Sequence, residues 1–191
     1  TVPATGEVTA NYEHLTDEAL ATVLEDAASA AAVWRATPIE ERAKVVTRVA
    51  EIFKERAKEL GELATREMGK PLGESVGEAD FCGDIFAYYA DNGPTLAADQ
   101  VLEDTDDSRT VIERRPVGVL LGIMPWNYPY YQIARFAAPN LVTGNVILLK
   151  HAESVPGCGL VVEEIVRQAL REGGYPEAVY TNIFATHEQV S

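Results

Sequence analysis

Two continuous apolar runs in the second half of the chain constrain the fold most. Residues 117–123 (VGVLLGI) and 146–150 (VILLK) have the character of strands covered on both faces of a sheet. Helical stretches at about 129–141 and 157–171 follow them, and residues 179–184 are predicted to form a third strand. This alternation predicts an α/β fold, the first βαβαβ part of a doubly wound, Rossmann-like parallel sheet with right-handed crossovers. We expect an exposed edge with uncovered apolar surface at the third strand.

The first hundred residues are predicted to be mainly helical. The segment Thr37-Pro38-Ile39-Glu40 has the pattern of a capping box at a helix start, and apolar residues recur with helical period from Val45 to Leu63. A break is expected at Gly69-Lys70-Pro71, and a further helix is expected to end near residues 92–94. The buried side of that helix is predicted to carry Phe81, Ile85, Phe86 and Tyr89.

Three segments are expected along the chain. Residues 1–99 form a helical N-terminal part, residues 100–116 a hairpin segment, and residues 117–191 the Rossmann-like part. Within the middle segment, residues 100–108 are acidic and lack an apolar period, which predicts a loop or hairpin tip. Residues 110–114 are predicted to be an extended strand.

Composition excludes several classes of function. The net charge of −14 disfavours binding to nucleic acid or to anionic lipid. No apolar run approaches the roughly 20 residues that cross a bilayer, so no membrane partner is expected. The first twenty residues carry acids and no Lys or Arg, which argues against a secretory or mitochondrial leader and favours a cytoplasmic location. Cys82 and Cys158 lie outside any metal-binding motif and are predicted to be buried structural thiols, so no metal is expected.

Polar residues follow each of the first two predicted parallel strands. Pro125-Trp126-Asn127 comes after the first strand, and Lys150-His151-Ala152-Glu153 comes at the end of the second. Ligands of open parallel sheets bind outside the carboxyl ends of the strands, which makes these segments the candidate site. Two alternatives remain: Asn127 caps the following helix, and Lys150 is a solvated strand end.

Three blocks of sequence resemble the aldehyde dehydrogenase family. Met124-Pro125-Trp126-Asn127-Tyr128-Pro129 is similar to the family's proline-tryptophan-asparagine-aromatic-proline motif. The stretch 144–150 (GNVILLK) resembles the family's next strand, and Glu67-Met68-Gly69-Lys70-Pro71 matches a further segment. The resemblance covers essentially the whole chain, but only about the first two-fifths of a family subunit. Many members have proline at the position of His151. His151, together with Leu148 and Leu149, instead resembles a bacterial branch of the family that acts on succinate semialdehyde.

The resemblance implies roles for particular residues. Asn127 would be the catalytic oxyanion-hole residue, and Lys150 and Glu153 would contact the adenosine ribose. Because the carboxylate of Glu153 should repel a 2′-phosphate, NAD is favoured as cofactor over NADP, which stays possible. The cofactor-binding set implied by the family is Ile123, Pro125, Trp126, Asn127, Lys150, His151, Ala152 and Glu153.

Arg135 is the residue that bears on the substrate. It lies on the predicted helix after Asn127, where similar succinate-semialdehyde dehydrogenases carry an arginine that can bind a carboxylate in a fork-like manner. The alternative is a surface salt bridge. The resemblance therefore implies an aldehyde substrate with a carboxylate, and a homo-oligomer joined through the hairpin segment.

The expected activity is NAD(P)-dependent oxidation of succinate semialdehyde to succinate by the complete enzyme. The family's catalytic cysteine, its general-base glutamate and its glycine-containing segment over the pyrophosphate are expected beyond Ser191, so the chain alone is predicted to be inactive. Two other functions stay open. One is a truncated, non-catalytic homologue that acts as a nucleotide-binding or oligomerisation module. The other is an acyl-CoA-forming relative, in which CoA rather than water releases the product from the enzyme thioester.

Overall fold

The structure is a computed structural model that describes residues 1–190. The helices are α1 (Asp17–Ala36), α2 (Ile39–Glu55), α3 (Ala57–Met68), α4 (Leu72–Leu96), α5 (Pro129–Thr143) and α6 (Pro156–Gly173). The strands are β1 (Gln100–Asp104), β2 (Arg109–Ile112), β3 (Val119–Met124), β4 (Val146–His151) and β5 (Tyr180–Asn182), with a 3-10 turn at Glu177–Val179 before β5. The predicted α/β class, with N-terminal helices followed by βαβαβ, is confirmed.

The helix boundaries confirm one sequence prediction and correct two. Helix α3 ends at Gly69, which has the left-handed φ of 77° that favours glycine, and α4 begins directly after Pro71, as predicted. The capping box at Thr37 is wrong, because the Thr37 hydroxyl donates to the carbonyl oxygen of Val33 and so belongs to the end of α1. The predicted helix from Val45 to Leu63 is two helices that meet at Arg56.

Helix α4 is longer than predicted and buries a different face. It continues through Pro94 to Leu96. Phe86 is buried as predicted, whereas Phe81 is exposed over half of its surface, because it lies beside a groove at the helix surface. The buried face is completed by Glu78, whose carboxylate is paired inside the protein.

The three-stranded sheet is parallel in the order β3-β4-β5, and α5 and α6 form the connections between its successive strands. All six residues of β4 are buried, as expected of a central strand. Strand β3 was predicted to be covered on both faces, but Leu121 and Ile123 are exposed. The Phe136 ring of α5 packs against the strand at Gly122, whereas the side chains of Leu121 and Ile123 are about half exposed.

The uncovered apolar surface is therefore at β3 and not at β5, where the sequence placed it. The residues of β5 are all buried, although this strand forms the other edge of the sheet. Between the helical part and the sheet, β1 and β2 form an antiparallel hairpin whose tip contains residues 105–108. The acidic segment predicted as a loop or tip is thus a strand up to Asp104. Among the described residues, no helix is both long and apolar enough to cross a membrane.

Candidate functional site

Two turns lie side by side at the carboxyl ends of β3 and β4. The parallel register pairs Met124, the last residue of β3, with His151, the last residue of β4. The turn at 125–128 and the turn at 152–155 therefore emerge next to each other at one edge of the sheet. This edge is where open α/β sheets bind ligands.

The first turn presents its side chains to solvent. Trp126 and Tyr128 are each about half exposed, and Asn127 is exposed as well. Helix α5 begins at Pro129, with Tyr128 at the capping position and no side chain bonded to the cap. The alternative that Asn127 caps this helix is therefore wrong. Its side-chain amide makes no hydrogen bond within the described part of the chain and is free to donate to a ligand.

A buried ion pair lies under this turn and holds the start of α5. The Glu78 carboxylate accepts hydrogen bonds from the backbone N–H groups of Tyr130 and Tyr131 at 2.9 and 3.0 Å. Its second oxygen lies 2.5 Å from the Lys70 ammonium, and that ammonium lies 4.0 Å from the centre of the Tyr128 ring. An acidic side chain suits the positive N-terminal end of a helix. The start of α5 is thus anchored through its backbone by Glu78, and the Tyr128 ring adds a contact with Lys70.

The second turn is built around a buried lysine. Lys150 is 7% exposed, and its ammonium lies 4.0 Å from the largely exposed carboxylate of Glu153. The alternative that Lys150 is a solvated strand end is therefore wrong. Donors on Lys150 and an acceptor on Glu153 face the same edge of the sheet, an arrangement that fits the hydroxyl groups of a sugar.

The N-terminus of α6 is already occupied by a carboxylate of the protein. Glu67 accepts hydrogen bonds from the backbone N–H groups of Gly157 and Cys158 at 2.8 and 2.9 Å. A side chain at Gly157 would collide with this carboxylate, since an added Cβ would lie 2.7 Å from its oxygen. Helix N-termini are common anion sites, and at α6 this position is filled by the Glu67 carboxylate.

The ring of His151 faces inward. It is 7% exposed, and both ring nitrogens lie near backbone groups of the protein. Burial lowers the pKa of His151, against smaller raising effects of backbone carbonyls and of Glu78. The other predicted cofactor contacts differ in exposure: Ile123 and Pro125 are exposed, and Ala152 is half-buried. The binding roles of all these residues remain predictions.

A groove of about 590 Å³ lies beside the first turn and is lined by Lys70, Glu74, Gly77, Glu78, Phe81, Tyr128 and Tyr131. Phe81 stacks on Tyr131 with ring centres 6.2 Å apart. Arg135 lies one helical turn beyond Tyr131, with its guanidinium 6.0 Å from the centre of that ring. Arg135 is exposed and forms no ion pair with any described residue, so the alternative of a surface salt bridge is wrong.

Both cysteines are buried, as predicted. Burial raises the pKa of Cys82 and that of Cys158, so neither thiol is available as a thiolate. No described residue of the chain therefore provides a nucleophilic sulfur at the edge where the two turns lie.

Sequence reasoning missed three groups that shape this site: the Lys70–Glu78 pair, the Glu67 cap on α6, and Phe81 in the groove. Lys70 and Glu78 are eight residues apart, but Glu78 and Glu67 hold helix starts that lie more than 50 residues further along the chain. A signal was nevertheless present for Glu78, a charged residue that falls at the helical spacing of the buried positions of α4.

Comparison with known proteins identifies the family. The chain matches the aldehyde dehydrogenase family over residues 1–191. It is 41% identical over 182 residues to the succinate-semialdehyde dehydrogenase [NADP(+)] of Deinococcus radiodurans, with 95% of this chain and 37% of that protein covered. It is 35% identical to the succinate semialdehyde dehydrogenase [NAD(P)+] of Escherichia coli, with 99% of this chain and 40% of that protein covered.

A solved structure supports the same family assignment. The crystal structure of succinic semialdehyde dehydrogenase from Streptococcus pyogenes, in complex with NADP+, superposes with a TM-score of 0.89 at 38% identity, over 97% of this chain and 40% of that one. The chain thus spans about two-fifths of the length of these relatives. With the family matched from end to end, this chain belongs to the aldehyde dehydrogenase family.

Proposed function

We propose that this sequence supplies the oxyanion-binding turn and part of the nucleotide site of an NAD(P)-dependent aldehyde dehydrogenase that oxidises succinate semialdehyde to succinate. The observation that carries the proposal is the adjacency of the two turns. The free amide of Asn127 follows β3, and the buried Lys150 lies near the end of β4 beside Glu153. The ends of these two strands are paired in register.

Asn127 would act on the charge that develops during the reaction. When a thiolate adds to an aldehyde carbonyl, the carbonyl oxygen becomes an alkoxide, and a fixed N–H donor stabilises that oxygen more than it stabilises the starting carbonyl. The amide of Asn127 is exposed, unpaired and carried on a backbone that Glu78 anchors. An aspartate at this position would repel the same oxygen.

The nucleotide would be held through its sugar. The Lys150 ammonium and the Glu153 carboxylate offer a donor and an acceptor to ribose hydroxyls. When bound, the nicotinamide cofactor accepts the hydride of the aldehyde. We propose NAD as the cofactor, because the Glu153 carboxylate would repel the 2′-phosphate of NADP. NADP is the alternative, because the relatives named above are described with NADP(+) or NAD(P)+.

Arg135 would select the substrate. Its guanidinium is exposed and unpaired, one helical turn from the wall of the apolar groove, and can bind a carboxylate with two parallel hydrogen bonds. The relatives' names as succinate-semialdehyde dehydrogenases support this assignment.

We also propose homo-oligomers joined through the β1–β2 hairpin, which exposes Val101, Leu102 and Ile112. The segment boundaries at 99 and 116 and the cytoplasmic location remain predictions.

The test of the activity uses the whole protein that contains this sequence. Purified protein is mixed with succinate semialdehyde and NAD or NADP, and the reduced cofactor is followed by its absorbance. Oxidation of succinate semialdehyde in preference to butanal, an uncharged aldehyde of the same length, supports the proposal. Absence of cofactor reduction with either aldehyde contradicts it.

The chain of residues 1–191 alone is expected to reduce no cofactor above a blank, because its two thiols are buried with a raised pKa. The same assay checks this prediction on the purified chain. Reduction of NAD or NADP by that chain would show that it holds a nucleophile other than Cys82 or Cys158.

A further inference from the structure

The imidazole of His151 connects the two turns. Its Nε2 lies 3.1 Å from the carbonyl oxygen of Pro129, the first residue of α5. Its Nδ1 lies 2.9 Å from the backbone nitrogen of Ala152, in the turn that follows β4. The same Nδ1 lies 3.4 Å from the carbonyl oxygen of Met124, at the end of β3. One buried ring thus touches both ends of the segment that carries Asn127, and also the turn that carries Glu153.

The partners of the ring fix its proton. The N–H of Ala152 has to donate, so Nδ1 accepts and carries no hydrogen. The proton is therefore on Nε2, which donates to the carbonyl oxygen of Pro129. In this neutral form, both nitrogens of His151 make a hydrogen bond, and the carbonyl of Met124 is a close neighbour without one. Burial favours the neutral form as well.

The ring cannot move aside easily. Strand β4 is buried on both faces, and α6 passes close to His151 at Gly159. A Cβ added at Gly159 would lie 3.2 Å from the Cβ of His151, which is tighter than normal contact. The position of the imidazole is thus set by the sheet and by α6, and the ring transmits that position to Pro129.

The segment around Asn127 needs such an anchor. The side chains of Trp126, Asn127 and Tyr128 point largely to solvent, so core packing does not hold them. Glu78 holds the N–H groups of the first turn of α5 from one side. His151 holds the carbonyl of Pro129 from the side of β4, two residues from the amide that would face the oxyanion.

We propose that His151 is a positioning residue that couples the nucleotide turn to the oxyanion turn, so that the Asn127 amide is correctly placed only while the ring bonds both. This inference rests on the proposed function. In place of the cofactor contact that the family resemblance implies for His151, it assigns this buried ring no contact with substrate or cofactor. Its effect on the reaction runs entirely through Asn127, and this distinguishes it from a residue that merely stabilises the fold.

The test is a double-mutant cycle on the complete protein. His151→Phe keeps a ring of similar shape and removes both hydrogen bonds. Asn127→Ala is expected to lower kcat by about 10²–10³-fold in the unchanged background, as for other single oxyanion donors. In the His151→Phe background the same substitution is expected to cost less than about tenfold, because the amide is already misplaced. His151→Phe alone is expected to lower kcat more than it raises KM for the aldehyde.

Three further variants keep the test decisive. His151→Gln retains an N–H that can reach Pro129, so it is expected to recover part of the lost kcat and with it part of the Asn127→Ala effect. His151→Leu, which offers no hydrogen bond, replaces His151→Phe in the cycle if the latter does not fold. Leu170→Ala removes a buried side chain near the far end of α6 and serves as a control for lost stability. Its effect on kcat is expected to multiply independently with that of Asn127→Ala.

The outcomes separate the two proposals. An unchanged protein that does not oxidise aldehydes contradicts the proposed function, and the coupling falls with it. An active protein in which the His151 and Asn127 substitutions multiply independently contradicts only the coupling. Loss of the Asn127 effect in the His151→Phe or His151→Leu background, with its partial return in the His151→Gln background, supports it.

Discussion

The two turns at the edge of the sheet hold their functional groups in opposite ways. The turn after β3 exposes Asn127 and its neighbours and is fixed through its backbone. The turn after β4 is preceded by the buried Lys150 of that strand, and the helix that follows the turn is capped by Glu67. The exposed Asn127 amide can donate a hydrogen bond to an oxyanion that exists only during the reaction. The buried Lys150 ammonium instead offers a fixed donor to the sugar of a bound nucleotide.

Because of this difference, we expect a substitution of Asn127 to change the reaction rate without changing stability, and a substitution of Lys150 to change both binding and stability. A side chain that projects into solvent without protein partners contributes little to the free energy of unfolding. A buried charge contributes to folding and binding together, because its removal or exposure changes the interior of the protein. The following predictions test this contrast, from the largest effect to the smallest.

The largest expected effect is that of Asn127→Ala on kcat of the complete protein, a fall of about 10²–10³-fold with succinate semialdehyde. The midpoint of urea unfolding is expected to stay within experimental error, because Asn127 is exposed and unpaired among the described residues. Lys150→Met is the matched comparison at the buried turn, and it is expected to weaken nucleotide binding and to shift the unfolding midpoint. A shifted midpoint for Asn127→Ala would break the contrast.

A smaller effect is expected for Arg135→Ala. Loss of a charged hydrogen bond is worth roughly 1.5–3 kcal/mol, so kcat/KM for succinate semialdehyde should fall by about 10- to 100-fold. The value for butanal should change little, because butanal has no carboxylate. Arg171→Ala, which removes an exposed arginine paired with Glu177, serves as the control. Equal losses for the two aldehydes would remove Arg135 from substrate recognition.

The choice of cofactor is expected to respond to Glu153. Glu153→Ser removes the carboxylate that would face a 2′-phosphate and should raise the preference for NADP over NAD by about tenfold, or roughly 1.4 kcal/mol. The effect is modest because Glu153 is largely exposed and its charge is screened by water. The measurement is the ratio of kcat/KM for the two cofactors. An unchanged ratio would show that the ribose lies away from Glu153.

Sequence alone could predict the backbone of this site but not its supports. The apolar run of β4, the break at Gly69 and the polar residues after two successive strands are local patterns, and each of them appears in the structure. The adjacency of the two turns followed from the direction of parallel strands. The prediction that both faces of β3 are covered was wrong, because an apolar run indicates burial without showing which faces are covered.

The supports depend on contacts that no local pattern contains. Glu78 bonds to residues 52 and 53 positions away, and Glu67 bonds to residues 90 and 91 positions away. Charged side chains in amphipathic helices usually face water, and neither Glu67 nor Glu78 was predicted to support the site. The inward orientation of His151 likewise depends on the carbonyl of Pro129, 22 residues earlier in the chain.

The smallest expected effect concerns stability and pH, and it tests whether the His151 ring is neutral. Burial lowers the pKa of His151 below the usual value near 6.5, and Glu78 is the carboxylate that acts on the ring in the opposite sense. Below about pH 6.5 the unfolded chain therefore takes up a proton that the folded protein refuses, so the free energy of unfolding falls as the pH falls. The slope contributed by this group is at most about 1.4 kcal/mol per pH unit, down to the folded-state pKa.

His151→Gln cannot titrate, so its stability is expected to fall less steeply than that of the unchanged protein between about pH 7 and pH 5.5. Urea unfolding at several pH values measures both slopes, and the titrating groups that do not interact with His151 cancel in their difference. Parallel slopes would mean that the His151 ring takes up protons equally in the folded and unfolded states. A ring that did so could not keep Nδ1 as an acceptor for Ala152, and the inward bridge between the two turns would be lost at mildly acidic pH.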